Sequence, residues 1–251
     1  MTASTAVSTS YADAPALAQQ LAADGMPADA VLIYNGRRNK VAFTADGHYC
    51  IKAYRVPGMV KRVIYGNFRI PKARRAWLNA HTLIELGFDT PEPVCMVECH
   101  CGPQIGRTYY VCLAYHGWND LRKVEEHPDF ERLVPQLAAF ILALHRKGVL
   151  MKDLSQGNVL WRKDDDGAFK FALIDINRME FDVYDSERQL INFGAVLDTE
   201  AGILTLAHHY AALRGDYSYV EKAVAAFRDK QAAIARKRKL KKVIKSLTGK
   251  Q

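Results

Sequence analysis

Residues 148–158 read Gly-Val-Leu-Met-Lys-Asp-Leu-Ser-Gln-Gly-Asn, and this stretch decides how the rest of the chain is interpreted. It places Asp153 five residues before Asn158, directly after an apolar segment. A second acid, Asp175, follows inside the apolar run Phe-Ala-Leu-Ile-Asp-Ile at 171–176. A carboxylate within an apolar run is costly unless it has a partner or a metal ion. Asp175 is therefore predicted to have a functional role.

The order acid, amide, acid is typical of a loop that catalyses phosphoryl transfer, followed by its metal-binding acid. One carboxylate orients the attacking hydroxyl and accepts its proton, while an amide and a second carboxylate hold Mg²⁺ against the nucleotide phosphates. We predict Asp153 as the catalytic carboxylate and Asn158 and Asp175 as metal ligands. Lys152, beside Asp153, is predicted to neutralise the transferring phosphoryl group. A plain surface turn is the alternative for the loop alone, because Asp, Ser and Gly favour turns.

Candidate nucleotide-binding residues lie earlier in the chain. Lys52 is on the third predicted strand, where protein kinases carry the lysine that contacts the α- and β-phosphates of ATP. An outward-facing strand lysine is the alternative. No G-x-G-x-x-G loop is present, and the first hairpin turn instead contains Arg37 and Arg38. These arginines either contact phosphates or are solvated. The predicted cofactors are ATP and Mg²⁺.

Composition limits the protein class. The 251 residues are 49% hydrophobic and 25% charged, which is ordinary for a globular protein. No apolar run reaches the ~18–20 residues that span a bilayer, and residues 1–11 do not resemble a secretory signal. Five cysteines, an odd number, fit a reducing, cytoplasmic compartment. Cys95, Cys99 and Cys101 have the even spacing of one strand face, which favours half-buried or buried thiols over the alternative of a zinc site.

The pattern along the chain predicts an α+β, bilobal protein-kinase-like fold, with an antiparallel five-stranded N-lobe and a mainly helical C-lobe. The first half reads as short strands bounded by turn residues and one helix over about 72–86. The second half carries a helical stripe over 129–147 and further helices over about 186–197, 199–213 and 217–245. The predicted domains are a disordered leader with a short helix (1–28), the N-lobe (29–116), the C-lobe (117–234) and a basic amphipathic tail (235–251).

These residues resemble the bacterial lipopolysaccharide kinase family, whose members phosphorylate Kdo or heptose sugars of the lipopolysaccharide inner core. The resemblance covers roughly residues 30–240. It is carried by the loop at 149–160, by Ala-Leu-Ile-Asp-Ile-Asn-Arg-Met at 172–179, and by supporting segments at 64–73 and 87–94. It implies ATP, magnesium and a sugar hydroxyl on a membrane-held lipopolysaccharide core glycolipid, with Kdo as the expected sugar. It also implies that Lys52, Asp153, Asn158 and Asp175 are the lysine, the base and the metal ligands.

Two positions depart from the family pattern. Met151 stands where the loop usually has His, and Leu78 stands where the helix glutamate that pairs with the strand lysine is expected. Glu85 is two helical turns further on, ~11 Å away, and could substitute only if the helix were shifted. A kinase-like protein with weak or no activity therefore stays open as an alternative. So does a kinase with a protein or small-molecule acceptor, because the loop motif does not determine the acceptor.

The positive charge is concentrated in the tail. The net charge is +8, and residues 228–251 hold ten Lys or Arg and one acid. Leu240, Val243, Ile244 and Leu247 would form one apolar stripe on a basic helix. Such a helix can lie on an anionic leaflet, which stabilises it by ~1 kcal/mol per nearby Lys or Arg. We predict a peripheral position on the cytoplasmic face of the inner membrane; packing on the protein body is the alternative, and nucleic-acid contact is less favoured.

Overall fold

The chain divides into two compact units. The computed structural model describes residues 2–248, with side chains as far as Lys241. The first unit comprises the described residues up to Gly117 together with Ala172–Arg178. The second comprises Trp118–Phe171 and the described residues from Met179 onward. The segment that carries Asp175 thus belongs to the first unit, although it follows the catalytic loop in sequence.

An antiparallel sheet with the order β1-β5-β6-β4-β3-β2 frames the first unit. Lys52 lies on β4, between β3 and β6, where Val41 and Tyr110 are its partners in register. Its backbone is therefore held on both sides. The strands found within residues 2–117 are β1 (Thr2–Val7), β2 (Val31–Asn35), β3 (Asn39–Phe43), β4 (Tyr49–Tyr54), β5 (Pro93–Cys101) and β6 (Gln104–Leu113).

The first strand corrects two predictions. Residues 2–7 pair with β5, from Thr2 opposite His100 to Val7 opposite Cys95, so this part of the predicted disordered leader is ordered as a strand. The sheet consequently has six strands in the described part of the chain, where five were predicted. The physical reason is that β5 is almost wholly buried, and without β1 its edge N–H and C=O groups would have no strand partner.

Three helices cover the first unit: α1 (Ala14–Ala23), α2 (Met59–Asn67) and α3 (Lys72–Glu85). Helix α1 buries Ala14, Ala18 and Leu21 in the core that it forms with the sheet. Helix α2 lies in a segment for which no helix was predicted. Helix α3 begins directly after Pro71 and buries a row of small and aliphatic side chains, namely Ala73, Ala76, Ala80 and Leu83.

The second unit is mainly helical. Its helices are α4 (Phe130–Arg146), α5 (Ser186–Gln189), α6 (Glu200–Arg214) and α7 (Ser218–Thr248). The predicted helix over 186–197 is instead α5 followed by a 3₁₀ turn at Leu190–Gly194. Short strands accompany the helices: β7 (Asn119–Asp120), β8 (Leu150–Met151), β9 (Val159–Lys163), β10 (Phe169–Leu173) and β11 (Met179–Glu180).

The basic tail continues α7 as far as Thr248. Leu240, the first residue of the predicted apolar stripe, is exposed. The remaining stripe residues, Val243, Ile244 and Leu247, lie outside the side chains that the structure describes, as do residues 249–251 altogether. The membrane-facing stripe therefore stays a prediction.

The cysteines on β5 do not share one face. Cys95 and Cys99 are buried, but Cys101 is exposed. The β5–β6 pairing shifts register between Glu98 and His100, and this irregularity interrupts the even spacing on which the prediction depended. All five cysteines are free thiols.

Candidate active site

The predicted site residues fall into two groups, one in each unit. Lys52, Arg37, Arg38 and Asp175 belong to the first unit, together with the turn Ile176–Arg178. Lys152, Asp153 and Asn158 belong to the second unit.

In the first unit, Lys52 and Asp175 form an ion pair. The Lys52 Nζ atom lies 2.5 Å from Oδ1 of Asp175, and the lysine side chain is only 14% exposed. The Asn177 side-chain amide donates to the same oxygen at 2.5 Å. Within residues 2–248, the hydrogen bonds found to Asp175 thus end on Oδ1, and Oδ2 is left for a further ligand. The structure thus brings together two of the residues that the sequence predicts for the site.

The backbone at Asp175 is in the left-handed region, with φ of 56°. Non-glycine residues adopt this conformation at a cost, and Asp and Asn tolerate it best. Helix α3 holds the strained turn in place, because the Asn79 side chain donates to the Ile176 carbonyl at 2.7 Å. On the other side, the Thr90 hydroxyl donates to the Leu173 carbonyl at 2.7 Å. The carboxylate is therefore positioned by contacts to the chain on both sides of it.

Further cations surround this ion pair. Lys72, at the start of α3, lies 5.8 Å from the Tyr54 ring centre, and Lys52 lies 5.7 Å from the same ring. Burial lowers the pKa of Lys72, and the positive charges of Arg178 and then Arg38 lower it further. A group of basic side chains thus converges near one carboxylate, which favours binding of a polyanion.

Sequence reasoning did not identify Lys72 and Arg178 as site residues. Both were nevertheless inside motifs that carry the family resemblance, Lys72 in Arg-Ile-Pro-Lys-Ala at 69–73 and Arg178 in Ile-Asp-Ile-Asn-Arg at 174–178. The sequence signal that could have identified both residues is the motif in which each of them lies. What the sequence could not indicate is that the start of a helix would approach the strand that carries Lys52.

The position at which the helix glutamate is expected carries an exposed side chain. Leu78 is 48% exposed, and the residues of α3 that face the sheet are small or aliphatic. Glu85, the suggested substitute, is exposed and lines a surface cavity together with Asp89 and Glu92. The Lys52 ammonium is paired with Asp175 instead.

The two arginines of the first hairpin turn differ in what is known of their surroundings. Arg37 and Arg38 are both exposed, and their backbone carbonyls accept hydrogen bonds from Arg55. Arg38 is close enough to Lys72 to lower the pKa of that lysine, so it belongs to the basic group. Phosphate contact by Arg37 stays a prediction.

In the second unit, the catalytic loop is closed on itself. The Asn158 side-chain Nδ2 donates to the Asp153 backbone carbonyl at 2.8 Å, across the 3₁₀ turn Gln156–Asn158. This bond orients the amide so that its Oδ1 points away from the Asp153 carbonyl. Amide and carboxylate oxygens are the ligands that Mg²⁺ prefers. The two residues are therefore brought together as the sequence predicts.

Lys152 has a partner of its own. Its ammonium pairs with the Glu180 carboxylate, which also binds Arg188. The hydrogen bond from Lys152 is the main cause that lowers the pKa of Glu180. Because Glu180 lies on β11, which pairs with β8 just before the loop, the ion pair joins the loop to the segment beyond Asp175.

A buried polar chain supports the loop at Met151. The Tyr210 hydroxyl donates to Nδ1 of His145 at 2.8 Å, and Nε2 of His145 donates to Oδ1 of Asn192 at 2.9 Å. The Asn192 amide then donates to the Met151 carbonyl at 2.6 Å. This donor order assigns the His tautomer and the amide orientation. The Met151 side chain is itself buried, so backbone bonding supplies the support that a loop histidine would give.

The buried hydrogen bonds of His145 predict that the stability of the protein depends on pH. Burial is the main cause that lowers the pKa of His145, from its ordinary value of 6.5 to about 4. The folded state therefore binds this proton less readily than the unfolded state does. The contribution is complete above pH 6.5 and is lost as the pH falls from 6.5 to 4, by on the order of 3 kcal/mol. Urea unfolding across this range should show the decline.

Two variants isolate the contribution of this histidine. In Tyr210→Phe the neutral imidazole loses its donor, so the pKa of His145 should rise and the decline should become smaller. His208→Gln removes an exposed histidine and should leave the decline unchanged. An equal decline in Tyr210→Phe and in the parent protein would show that the Tyr210 hydroxyl does not contribute to it.

With the geometry established, comparison with known proteins identifies the family. The chain matches the lipopolysaccharide kinase (Kdo/WaaP) family over residues 24–193, which is more than half of its length. The chain belongs to this family. No curated protein sequence matches it.

Three solved structures resemble the chain to different degrees. WaaP in complex with acyl carrier protein has a TM-score of 0.52 at 19% identity, over 82% of this chain and 86% of that one. A Rio2 kinase–ADP/Mg²⁺-phosphoaspartate complex from Chaetomium thermophilum gives 0.48 at 19% identity, over 87% and 75%. WbdD bound to a kinase inhibitor gives 0.43 at 18% identity, over 79% and 44%. The likeness to WaaP shows the fold alone, and the other two are too distant to add an argument.

Family membership confirms the protein-kinase-like fold and the class of reaction. The chain is a phosphotransferase with an alcohol group as acceptor, and its family acts as sugar kinases in lipopolysaccharide biosynthesis. Kinases of this family use ATP as phosphoryl donor. Across the described residues, no helix combines the length and the apolar character needed to cross a membrane.

Proposed function

We propose that this kinase transfers the γ-phosphoryl group of ATP to a hydroxyl of the lipopolysaccharide inner core, with Kdo as the sugar. The observation that carries the proposal is the Lys52–Asp175 ion pair, in a member of this family whose loop retains Asp153 and Asn158. A strand lysine and an acid that follows an apolar strand are the groups with which kinases hold the nucleotide phosphates and Mg²⁺.

Asp175 and Asn158 are each proposed as a ligand of Mg²⁺. Asp175 offers Oδ2, since Lys52 and Asn177 bind its other oxygen. Asn158 offers Oδ1, since its amide nitrogen is bound to the Asp153 carbonyl. Both are hard oxygen ligands. When bound, Mg²⁺ would neutralise the charge that develops on the nucleotide phosphates.

The basic group of the first unit is proposed to bind those phosphates. Lys52 and Lys72 supply ammonium groups beside the Tyr54 ring, and Arg38 and Arg178 add charge nearby. In this role Lys52 exchanges its present partner, Asp175, for phosphate oxygens. Burial lowers the pKa of Lys72, and a bound phosphate would favour the charged form of this lysine.

Asp153 is proposed to orient the sugar hydroxyl and accept its proton as the new phosphate ester bond forms and the bond to the ADP oxygen breaks. Neutralisation of the phosphoryl group by Lys152 stays a prediction. Its pairing with Glu180 supports a different role, in which Lys152 positions the loop.

Partners follow from the acceptor. A lipopolysaccharide core glycolipid is held in a membrane, and we propose that the basic end of α7 lies on the anionic cytoplasmic face of that membrane. The solved WaaP complex contains acyl carrier protein. For this reason we propose acyl carrier protein as a further partner of this chain.

The test is direct phosphorylation of a defined acceptor. Purified protein with ATP and Mg²⁺ should add one phosphate to Kdo-lipid A, measured by mass spectrometry of the lipid, with and without acyl carrier protein. Lipid A–core from cells that lack the gene should lack the same phosphate. Transfer to a heptose-containing core, a protein or a free sugar, but never to Kdo, would contradict the choice of acceptor.

A non-catalytic kinase-like protein gives a different result. It would transfer phosphate to none of these acceptors and would show no Mg²⁺-dependent stabilisation by ATP in a thermal shift titration. Stabilisation by ATP and Mg²⁺ together, with no transfer, would place the error in the acceptor rather than in the nucleotide site.

A further inference from the structure

The segment around α2 exposes an unusual amount of apolar surface. The side chains of Met59, Val60 and Phe68 are 74%, 76% and 80% exposed. We call residues 55–70 the α2 surface; its exposed apolar side chains are Val56, Met59, Val60, Val63, Phe68 and Ile70. Contiguous exposed apolar patches of this kind mark interaction sites in folded proteins.

The helix that carries this surface is fixed to the sheet. The Arg62 side chain donates from Nε to the Ile105 carbonyl at 3.0 Å, and the Asn67 amide donates to the Pro103 carbonyl at 2.9 Å. Gly66 sits so close to the same hairpin that a Cβ atom there would lie 2.2 Å from the Pro103 carbonyl oxygen. The apolar side chains are therefore presented outward by a helix with a defined attachment.

The α2 surface lies in a part of the sequence whose Lys and Arg residues have no Asp or Glu among them. Residues 47–84 contain no Asp or Glu, and they contain eight Lys or Arg. Within the α2 surface the basic residues are Arg55, Lys61, Arg62 and Arg69. Of these, Arg55, Lys61 and Arg69 are exposed. Exposed apolar side chains thus alternate with cations in one short segment.

We propose that the α2 surface binds an anionic phospholipid bilayer, with Met59, Val60 and Phe68 inserted at the boundary of headgroups and acyl chains and the neighbouring cations on lipid phosphates. This combination of a short helix, basic residues and exposed bulky apolar side chains is the one that interfacial helices use. Each Lys or Arg near an anionic leaflet adds attraction that salt weakens.

A second copy of this chain fits the surface less well. In a symmetric dimer the same patch would face itself, so Arg55, Lys61 and Arg69 of one copy would lie near the same cations of the other. Like charges brought together across an interface oppose association. An anionic surface has the complementary sign.

This inference goes beyond the proposed function, because it assigns membrane contact to the first unit and not only to the basic end of α7. It needs no catalysis, so vesicle binding can fail while phosphoryl transfer succeeds. Phosphoryl transfer can likewise fail while the protein still binds vesicles, so the failure of one proposal can be told from the failure of the other.

The experiment is sedimentation of the full-length protein with lipid vesicles. The protein should bind vesicles of phosphatidylcholine with about 30% phosphatidylglycerol and should bind pure phosphatidylcholine weakly. Met59→Glu with Phe68→Glu should reduce binding by about tenfold or more, because two inserted side chains become anions. The matched control is Leu204→Glu with Leu213→Glu, which changes two exposed leucines of α6 and should bind like the parent.

A reporter variant tests insertion without loss of binding. Phe68→Trp should show a blue-shifted emission on adding the anionic vesicles, and quenching by brominated lipid, after the parent spectrum with its three tryptophans is subtracted. Binding without either change, or undiminished binding of the α2 double variant, would overturn the proposal. A double variant that binds vesicles normally but no longer binds acyl carrier protein would also overturn the proposal, since the α2 surface would then be a protein interface.

Discussion

Asp175→Asn is expected to lower the rate of phosphoryl transfer by about a thousandfold. The carboxylate is the proposed metal ligand, and an amide oxygen carries no net charge with which to hold Mg²⁺ or to offset the Lys52 ammonium 2.5 Å away. Single-turnover rates at increasing Mg²⁺ concentration would measure the loss. The Mg²⁺ concentration needed for half-maximal rate should also rise, which separates a metal ligand from a residue that only supports the fold.

The substitution is chosen to leave the backbone unstrained. Asp175 has a φ of 56°, and Asn is the residue that tolerates this left-handed conformation best, whereas Ala would add roughly 1–2 kcal/mol of strain. Asp182 provides a matched control, because it is exposed and has a φ of 58°. Asp182→Asn makes the same chemical change in the same conformation and should keep parental activity. If Asp175→Asn retained more than about a tenth of the parental rate, the metal role proposed for it would be wrong.

The sequence predicted the reacting groups better than it predicted their supports. Asp175 was identifiable because a carboxylate inside an apolar strand is hard to explain as core. Its ion pair with Lys52 was not predicted, because the partner expected for this lysine was a helix glutamate. The groups that hold it, Asn79 and Asn177, carry no such signal, because an amide on a helix or after a strand is ordinary surface composition until tertiary structure brings a carbonyl or carboxylate to it.

Other features depended on long-range contacts that local patterns do not encode. Residues 2–7 have the composition of a disordered segment, yet they pair with β5, which follows ninety residues later. The helix α2 has only nine residues, none of them buried, and it contains Gly66, which weakens a prediction of helix from the local pattern.

At Met151, where the loop departs from the family pattern, the loop is supported by a hydrogen bond to the backbone in place of one from a histidine side chain. The family's usual histidine would hold the loop by a side-chain hydrogen bond. Here Asn192 bonds the Met151 carbonyl, and His145 and Tyr210 hold Asn192 from behind. These three partners come from different helical segments, so no spacing in the sequence joins them. The changed residue at the loop is therefore weak support for a loss of activity.

Asp153→Asn should lower kcat by about a hundredfold to ten-thousandfold, the range that a positioned general base contributes. The amide can still accept a hydrogen bond from the sugar hydroxyl, but it cannot take the proton as the phosphate ester forms. The backbone carbonyl of residue 153, which accepts the Asn158 hydrogen bond at 2.8 Å, is unchanged by the substitution. The nucleotide and metal groups should therefore keep their geometry, and the KM for ATP should change little.

Nucleotide binding is the readout that separates the two predictions. In Asp153→Asn, ATP with Mg²⁺ should stabilise the protein against heat as much as in the parent, whereas Asp175→Asn should lose most of that stabilisation. Asp165→Asn, in the exposed turn between β9 and β10, is the matched control and should behave as the parent in both assays. If Asp153→Asn instead lost the ATP-dependent stabilisation together with its rate, Asp153 would act by holding the nucleotide or the loop. The assignment of the base would then pass from Asp153 to another acceptor-side group.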